Sequence, residues 1–544
     1  MVEMNNICNL KKIKGEKMVI FNPKFNQELF HVIDILSKYK MVKFGKLFNQ
    51  PIHCDSPTGK SSILPNTITH LEFGEKFDQP ICYQTESSQD GKSLTFLPNS
   101  IKTLKFGHFF NQPVCCQTES SQNGKSHTLL PESLTYLSFG CRFNQPVDNL
   151  PEGLLYLYFR FSFNQPVDNL PNSLTHLEFG TKFKQPVDNL PNCISTLTFG
   201  YEFNQPVDNL PESLTYLSFG EEFNQPVDNL PNSLTHLKFG RNFNQPIDNL
   251  PNSLTHLELG RDFNQPVDNL PNSLTHLEFG DEFNQPVTYQ TESSQNGKSP
   301  TLLPNSLTHL EFGQDFNQQV NKLPNTIVHL HFGWSFNQPV ENLPESITYL
   351  KFGHDFNQPV ENLPESLTYL KFGQEFNQPV KNLPSCLTHL EFGWSFNQPV
   401  DNLPNSLTHL QFGRNFDKPV NNLPQSLTHL EFGERFNQPV TYQTESSQNG
   451  KSPTLLPDSL THLKFGYEFN QPVDNLPNSL THLIFVKFSN FNKPVNNLPK
   501  SLIHLRFGEY FNQQINSLPT SLKRIEISHR YRHKLPNNIE VIKI

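Results

Sequence analysis

The chain has 544 residues with 48 Phe and 45 Pro but not one Ala, a composition that argues against helical and α/β architectures, because helices favour Ala and exclude Pro. A formal net charge of −9 is mild for this length, and no run of Lys and Arg marks a face for nucleic acid or membrane, so neither is expected as a partner. The eight cysteines follow no CxxC or regular spacing, and no stretch approaches the roughly 18 apolar residues of a membrane span, which predicts a reduced, intracellular, cytoplasmic protein.

Residues 1–20, opening MVEMNNICNLKKIKGEKM, hold no apolar core of signal-peptide length and read as an N-terminal cap. From there to residue 521 the chain is one repeat. The Phe that opens each FNQP-like block recurs 22 times from Phe25 to Phe511, and 14 of the 21 intervals are 20 residues long. Four intervals of 33 carry one shared insert, written YQTESSQDGKSLTFLP from Tyr83 and, with small changes, from Cys116, Tyr289 and Tyr442. Polar inserts are therefore expected near 53–64, 82–97, 115–130, 288–303 and 441–456, with C-terminal capping strands over 522–544.

Within one unit, LTHLEF alternates apolar and polar residues, with Leu177 and Phe179 on one face and His176 and Glu178 on the other, which predicts a short half-buried strand. Gly180 follows, then two variable residues, and then FNQPV and NLP, whose prolines forbid a helix and favour extended or turn geometry. The register gives one strand per unit and 24 strands in all, the first ending near Phe21 and the last at Ile544. A unit cannot fold alone. Its inward set, Phe163, Val167, Leu170, Leu174, Leu177 and Phe179, gains roughly 1.5–3 kcal/mol per side chain on burial, whereas ordering the backbone costs about 1–2 kcal/mol per residue. Stacked neighbours remove that deficit by covering both faces of each unit.

On these residues the chain resembles the FNIP repeat family, whose name paraphrases FNQP and FNQPI, over nearly all of Phe21 to Ile544. The LPNSLTHLEF core is also similar to the LPxxLxxLxL core of the shortest leucine-rich repeats. That similarity implies a right-handed solenoid, curved, with a parallel sheet on its concave face. The Asn position departs from it, since Asn164 follows the last strand apolar residue, Phe159, by five residues where a leucine-rich repeat has three. FNIP proteins are known mainly from amoebae and from giant viruses that infect them, which would place the protein in host cytoplasm if it is viral. Some carry an N-terminal F-box that links them to ubiquitin ligases; the stretch before Phe21 is too short for one.

Units of the same chain can be compared with one another, and the comparison separates fixed from free positions. The Phe, Pro, Leu and Gly positions barely change, as expected where every rung needs a buried volume, a set φ or a close backbone approach. Asn164 and Asn169 are expected to cap carbonyls between rungs. The pairs after each Gly vary, and they hold Tyr201, Arg241, Arg261, Trp334, His354, Trp394 and Tyr467, including both tryptophans of the protein. Exposed aromatics among mixed charges have the composition of an interaction surface, and these residues, with His176 and Glu178 on the strand, are the candidate partner-binding set.

Thirteen of the 21 His occupy one strand position, from His70 to His504, beside a row rich in Glu and Lys. A metal ladder, a pH-sensitive face and a repeated tile all fit such a row, but Tyr136, Tyr216, Tyr349 and Tyr369 occupy the same position. Tyr replaces a neutral imidazole ligand poorly, which argues against metal. The GKS of each insert, and TGKSS at Thr58–Ser62, lack the Gly five residues upstream and the following helix of a phosphate-binding loop. Asn296-Gly297 and Asn449-Gly450 point instead to tight turns in small hairpins. Nothing singles out one nucleophile or acid–base pair. The sequence thus predicts an all-β, leucine-rich-repeat-like solenoid with no helix in its 20-residue unit. Its expected role is a non-enzymatic scaffold that binds a protein partner through the concave face and post-strand loops, without cofactor, metal or small-molecule substrate. The alternatives are a structural, particle-associated repeat protein and a substrate-recognition subunit for a ubiquitin ligase, lacking its own F-box.

Overall fold

A computed structural model describes residues 8–13, 16–56, 59–83, 94–116, 127–288, 301–441, 455–535 and 539–544. The chain forms two compact units, Met1–Gln265 and Pro266–Ile544. In each, short strands stack in parallel, every strand one turn further along the chain. The first unit runs from Glu16–Phe21 through Met41–Lys43, His70–Glu72, Thr103–Lys105 and Tyr136–Ser138, and then every 20 residues to His256–Glu258. The second runs from His276–Glu278 to Glu540–Lys543. Among the described residues each unit is a parallel β-solenoid, of 11 rungs in the first and 13 in the second, together the 24 that the repeat register predicts. Among the described residues helix is confined to a 3-10 turn at Leu29–Val32 and one turn at Ile33–Leu36. At the N-terminus Cys8–Ile13 pairs antiparallel with Glu16–Phe21.

The alternation in LTHLEF sets each rung. Leu177 and Phe179 are buried at 2 % exposure, Leu174 and Phe163 at 0 %, and the whole inward set of that unit is in the core. Two Phe columns run along each unit. Phe179 lies 3.7 Å from Phe183 within its turn, while successive turns repeat at 5.7 Å (Phe179 to Phe199) and 6.0 Å (Phe183 to Phe203). The rings are nearly parallel, in the offset stacking that aromatic quadrupoles favour. Gly is fixed by close approach: a Cβ at Gly200 would lie 1.9 Å from the carbonyl oxygen of Gly180.

The polar ladders differ from expectation. Asn164 does not cap carbonyls with its side chain; its Oδ1 accepts the Lys184 backbone N–H at 2.9 Å and the Gln185 Nε2 at 3.1 Å. The carbonyl of Asn164 is met by Gln185 Nε2 at 3.3 Å. Asn169 donates Nδ2 to the Asp148 carboxylate at 3.1 Å. The outcome follows from position: the FN segment turns its backbone N–H toward the previous rung, so an acceptor is what the ladder needs. Asp serves equally, and Asp78 and Asp417 take that place, receiving Asn111 N–H and Asn437 N–H.

Three of the inserts begin and end as antiparallel strand pairs, His53–Ser56 with Gly59–Ser62, Cys82–Tyr83 with Leu94–Thr95, and Cys115–Cys116 with His127–Thr128. A fourth closes with a bridge between Thr288 and Thr301. Gly59-Lys60-Ser61 is thus a strand of a hairpin and not a phosphate-cradling loop. The Asn296-Gly297 and Asn449-Gly450 turns lie outside the described residues.

Candidate functional site

The residues after each Gly are held out of the core by the ladder beneath them. The second of each pair donates its backbone N–H to the carbonyl of the first in the preceding turn, as Glu202 does to Thr181 at 2.9 Å and Asp355 to Trp334 at 2.8 Å. Their backbone is thereby fixed and their side chains face outward. Trp334, Trp394 and Tyr201 are 51–54 % exposed and Tyr467 is 40 % exposed. Arg241 and Arg261 are exposed as well, and Arg241 lies 3.9 Å from Asp262. His354 is half-buried, stacked on Trp334 at 4.2 Å with an interplanar angle of 4°, while its Nδ1 meets Asp355 at 2.5 Å.

In the second unit these positions converge. Trp334, His354, Gln374, Trp394 and Arg414 form one wall of a groove of about 720 Å³, whose floor is the Phe-Gly backbone of successive turns and whose other wall is the third strand residue, including Lys351, Lys371, Glu391 and Gln411. The Trp394 ring has the Arg414 guanidinium 5.9 Å above it. Many of the charges are already paired across rungs: Lys371 Nζ with Glu391 at 2.6 Å and Arg414 with Glu434 at 2.8 Å. Glu311 is held well below the usual carboxylate range by hydrogen bonds to His329 and His331. The groove is therefore aromatic and hydrogen-bonding in character, with its fixed charges largely neutralised by their own neighbours. Tyr467 is outside its lining. Tyr201, Arg241, Arg261, His176 and Glu178 belong to the first unit, at equivalent places in the repeat.

The His position is also ordered. His389, His409, His429, His462 and His482 stack at 4.2 Å with interplanar angles of 10–12°. Each Nδ1 lies 2.9 Å from the hydroxyl of the Thr before it. Rings stacked in this way send their Nε2 lone pairs out side by side instead of toward a common point. Among the described residues no group of three or more His, Cys, Asp or Glu is arranged to hold a metal ion. Tyr continues the stack: His329 lies 4.1 Å from Tyr349, and Tyr349 4.5 Å from Tyr369.

The FNIP repeat pattern matches overlapping segments that cover 126–289 and 299–442, and also 452–488 and 491–529. The chain belongs to the FNIP repeat family. Among solved structures, the FNIP chain is similar to CroV588, a giant-virus protein described as a novel circular leucine-rich-repeat structure, at 39 % identity and a TM-score of 0.53 over 96 % of each chain. It also matches YopM of Yersinia enterocolitica at 20 % identity, TM-score 0.45, over 79 % of this chain and 88 % of that one. The Toll–Spätzle complex of Drosophila matches at 12 % identity, TM-score 0.45, over 96 % and 88 %. No curated protein sequence matches. Among the described residues no helix is long and apolar enough to cross a membrane.

Three further aromatics stand at the variable FNIP positions: Phe161, Phe488 and Tyr510, each 50–52 % exposed. Phe161 follows Arg160 and Phe488 follows Val486-Lys487, so neither unit carries the marker Gly; counting two back from Phe163 finds Phe161, whereas Phe488 stands three before Phe491, in a turn with two extra residues. Lys184 is equally hidden from a count of the variable pairs. It stands where the Asn ladder expects an acceptor and meets Glu202 at 2.7 Å, together with Lys182.

Proposed function

We propose that this repeat protein is a non-enzymatic scaffold that binds a protein partner in the groove of its second unit, through Trp334, His354, Trp394 and Arg414. The observation that carries this reading is that in five successive turns of the second unit, from Trp334 to Arg414, a position free to vary among the repeats lines one continuous groove, while the fixed side chains beneath are consumed by stacking. Aromatic and Arg side chains over a rigid backbone are the composition of interface hot spots, and the ladder beneath them lowers the ordering cost of binding. Trp334 and Trp394 stand three turns apart, about 14 Å at the spacing of adjacent strands, a span that suits one extended segment or one helix face of a partner. The test is recovery of partners from native host cells with the wild type and with the double variant Trp334→Ala/Trp394→Ala. A stoichiometric protein lost in the variant, with circular dichroism unchanged, supports the reading. Equal recovery by both removes the two tryptophans from the site.

A further inference from the structure

The imidazole column beside this groove has a fixed protonation pattern. In each of its five turns the Thr hydroxyl donates its single proton to a carbonyl of the preceding turn at 3.0–3.1 Å, as Thr388 does to Thr368, Thr408 to Thr388, Thr428 to Thr408, Thr461 to Thr428 and Thr481 to Thr461. The oxygen is then left to accept, so Nδ1 of the following His carries the ring proton and Nε2 is the bare acceptor. Any further proton must go to Nε2, producing cationic rings that face one another at 4.2 Å.

The groups around the column offer little to offset that charge. Glu391 is already engaged by Lys371 and by the Tyr369 hydroxyl at 2.6 and 2.7 Å, and Glu431 by Lys464 at 2.5 Å. The same row contributes Gln411 and Ile484 in the turns of His409 and His482. At the ends stand Tyr369, 6.1 Å from His389, and His504, edge-on to His482 at 5.7 Å. His504 itself has a carboxylate, Glu526, at 3.1 Å, shared with Arg506 and Arg524, and His329 has Glu311. Clamped and unclamped imidazoles thus coexist in one row.

We propose that the column of His389, His409, His429, His462 and His482 is an acid-triggered release for the groove it borders. Neutral rings stack and hold these turns together; protonation opposes the stack, loosens the turns and displaces Glu391, Gln411 and Glu431, which line both the groove and a 320 Å³ cavity over the column. Only the consequence for the groove rests on the function proposed above. Burial, reinforced by neighbouring imidazoles, lowers the proton affinity of His409, His429 and His482, and that of His462 to about 4. The unfolded chain, with imidazoles near their ordinary value of about 6.5, therefore binds more protons than the folded one. Stability of these turns is present above about pH 6.5 and is lost as pH falls toward 4.

Hydrogen exchange read by mass spectrometry on the full chain, corrected for the intrinsic pH dependence of exchange, tests this without a partner. Between about pH 7 and pH 4.5 the strands within residues 389–485 are expected to lose at least tenfold protection, while strands 196–198 and 216–218 of the first unit do not. The variant His409→Tyr/His429→Tyr/His462→Tyr, which copies the Tyr349–Tyr369 stack, is expected to lose that response. An equal response in the variant, or none in the wild type, overturns the proposal. Should the variant not fold, imidazole resonances of the wild type decide: titration of His409, His429, His462 and His482 at about 6.5 contradicts it. A pH response with no partner ever found would retain the switch and discard the groove.

Discussion

Phe203 lies 3.8 Å from Phe199 in its own turn and 6.0 and 6.1 Å from Phe183 and Phe223 in the turns on either side, with no exposed surface. Phe203→Ala removes a ring that three others touch, and a loss of about 3–5 kcal/mol is expected, read as a lower midpoint of chemical denaturation. The Asn ladder gives a finer test. Asn224 Oδ1 accepts the Asn244 backbone N–H at 3.0 Å and Gln245 Nε2 at 3.1 Å; Asn224→Ala strands the Asn244 N–H, leaves Gln245 Nε2 only the Asn224 carbonyl at 3.3 Å, and should cost about 1–3 kcal/mol. Asn224→Asp retains the acceptor, as the chain itself does at Asp78 and Asp417, and should leave the midpoint nearly unchanged. That such positions matter was legible from their constancy among units. Whether the amide's oxygen or its nitrogen faced the ladder was not, because a sequence does not say which backbone group the next turn offers.

At the scale of the element, every 20-residue turn is built to meet another like itself. Removing residues 203–222 joins Glu202 to Phe223 and returns each ladder to an equivalent partner, so the shortened chain is expected to fold and to melt within a few degrees of the parent. Removing 203–212 instead leaves half a turn, breaks the register that places Leu and Phe inward, and should prevent cooperative melting. This is the level at which the sequence was most legible: alternation in LTHLEF, the two prolines and the period alone specify the rung. The inserts were legible at their roots, where polar chain leaves and rejoins the solenoid in antiparallel pairs. The ring stack at the His position was foreseeable only as a spacing, since its Thr-locked tautomer depends on hydroxyls of one rung meeting carbonyls of the rung before.

Across the whole molecule, fixed and free positions have different fates. The fixed ones form columns of Phe, Leu, Gly and Asn whose partners lie in the same turn or the next, and one unit read carefully predicts most of them, with Arg160, Lys184, Leu259 and Val486 as departures. The free ones acquire meaning from residues 20, 40 or 60 positions distant. Trp334 and Trp394 share a groove because three turns bring them onto one wall, whereas Tyr467, equivalent in register, falls outside it. Nothing local to either tryptophan announces the other. On the function proposed above, stacking and recognition are carried by separate positions of the same repeat. An alanine scan of the second unit that measures melting temperature and partner affinity together tests it most directly. Substitutions at Trp334, Trp394 and Arg414 should weaken binding about tenfold or more with melting unchanged, while substitutions at Phe336, Phe356 and Leu350 should lower melting sharply. Affinity that tracks melting at every position, with no class that separates the two, would rule out that separation.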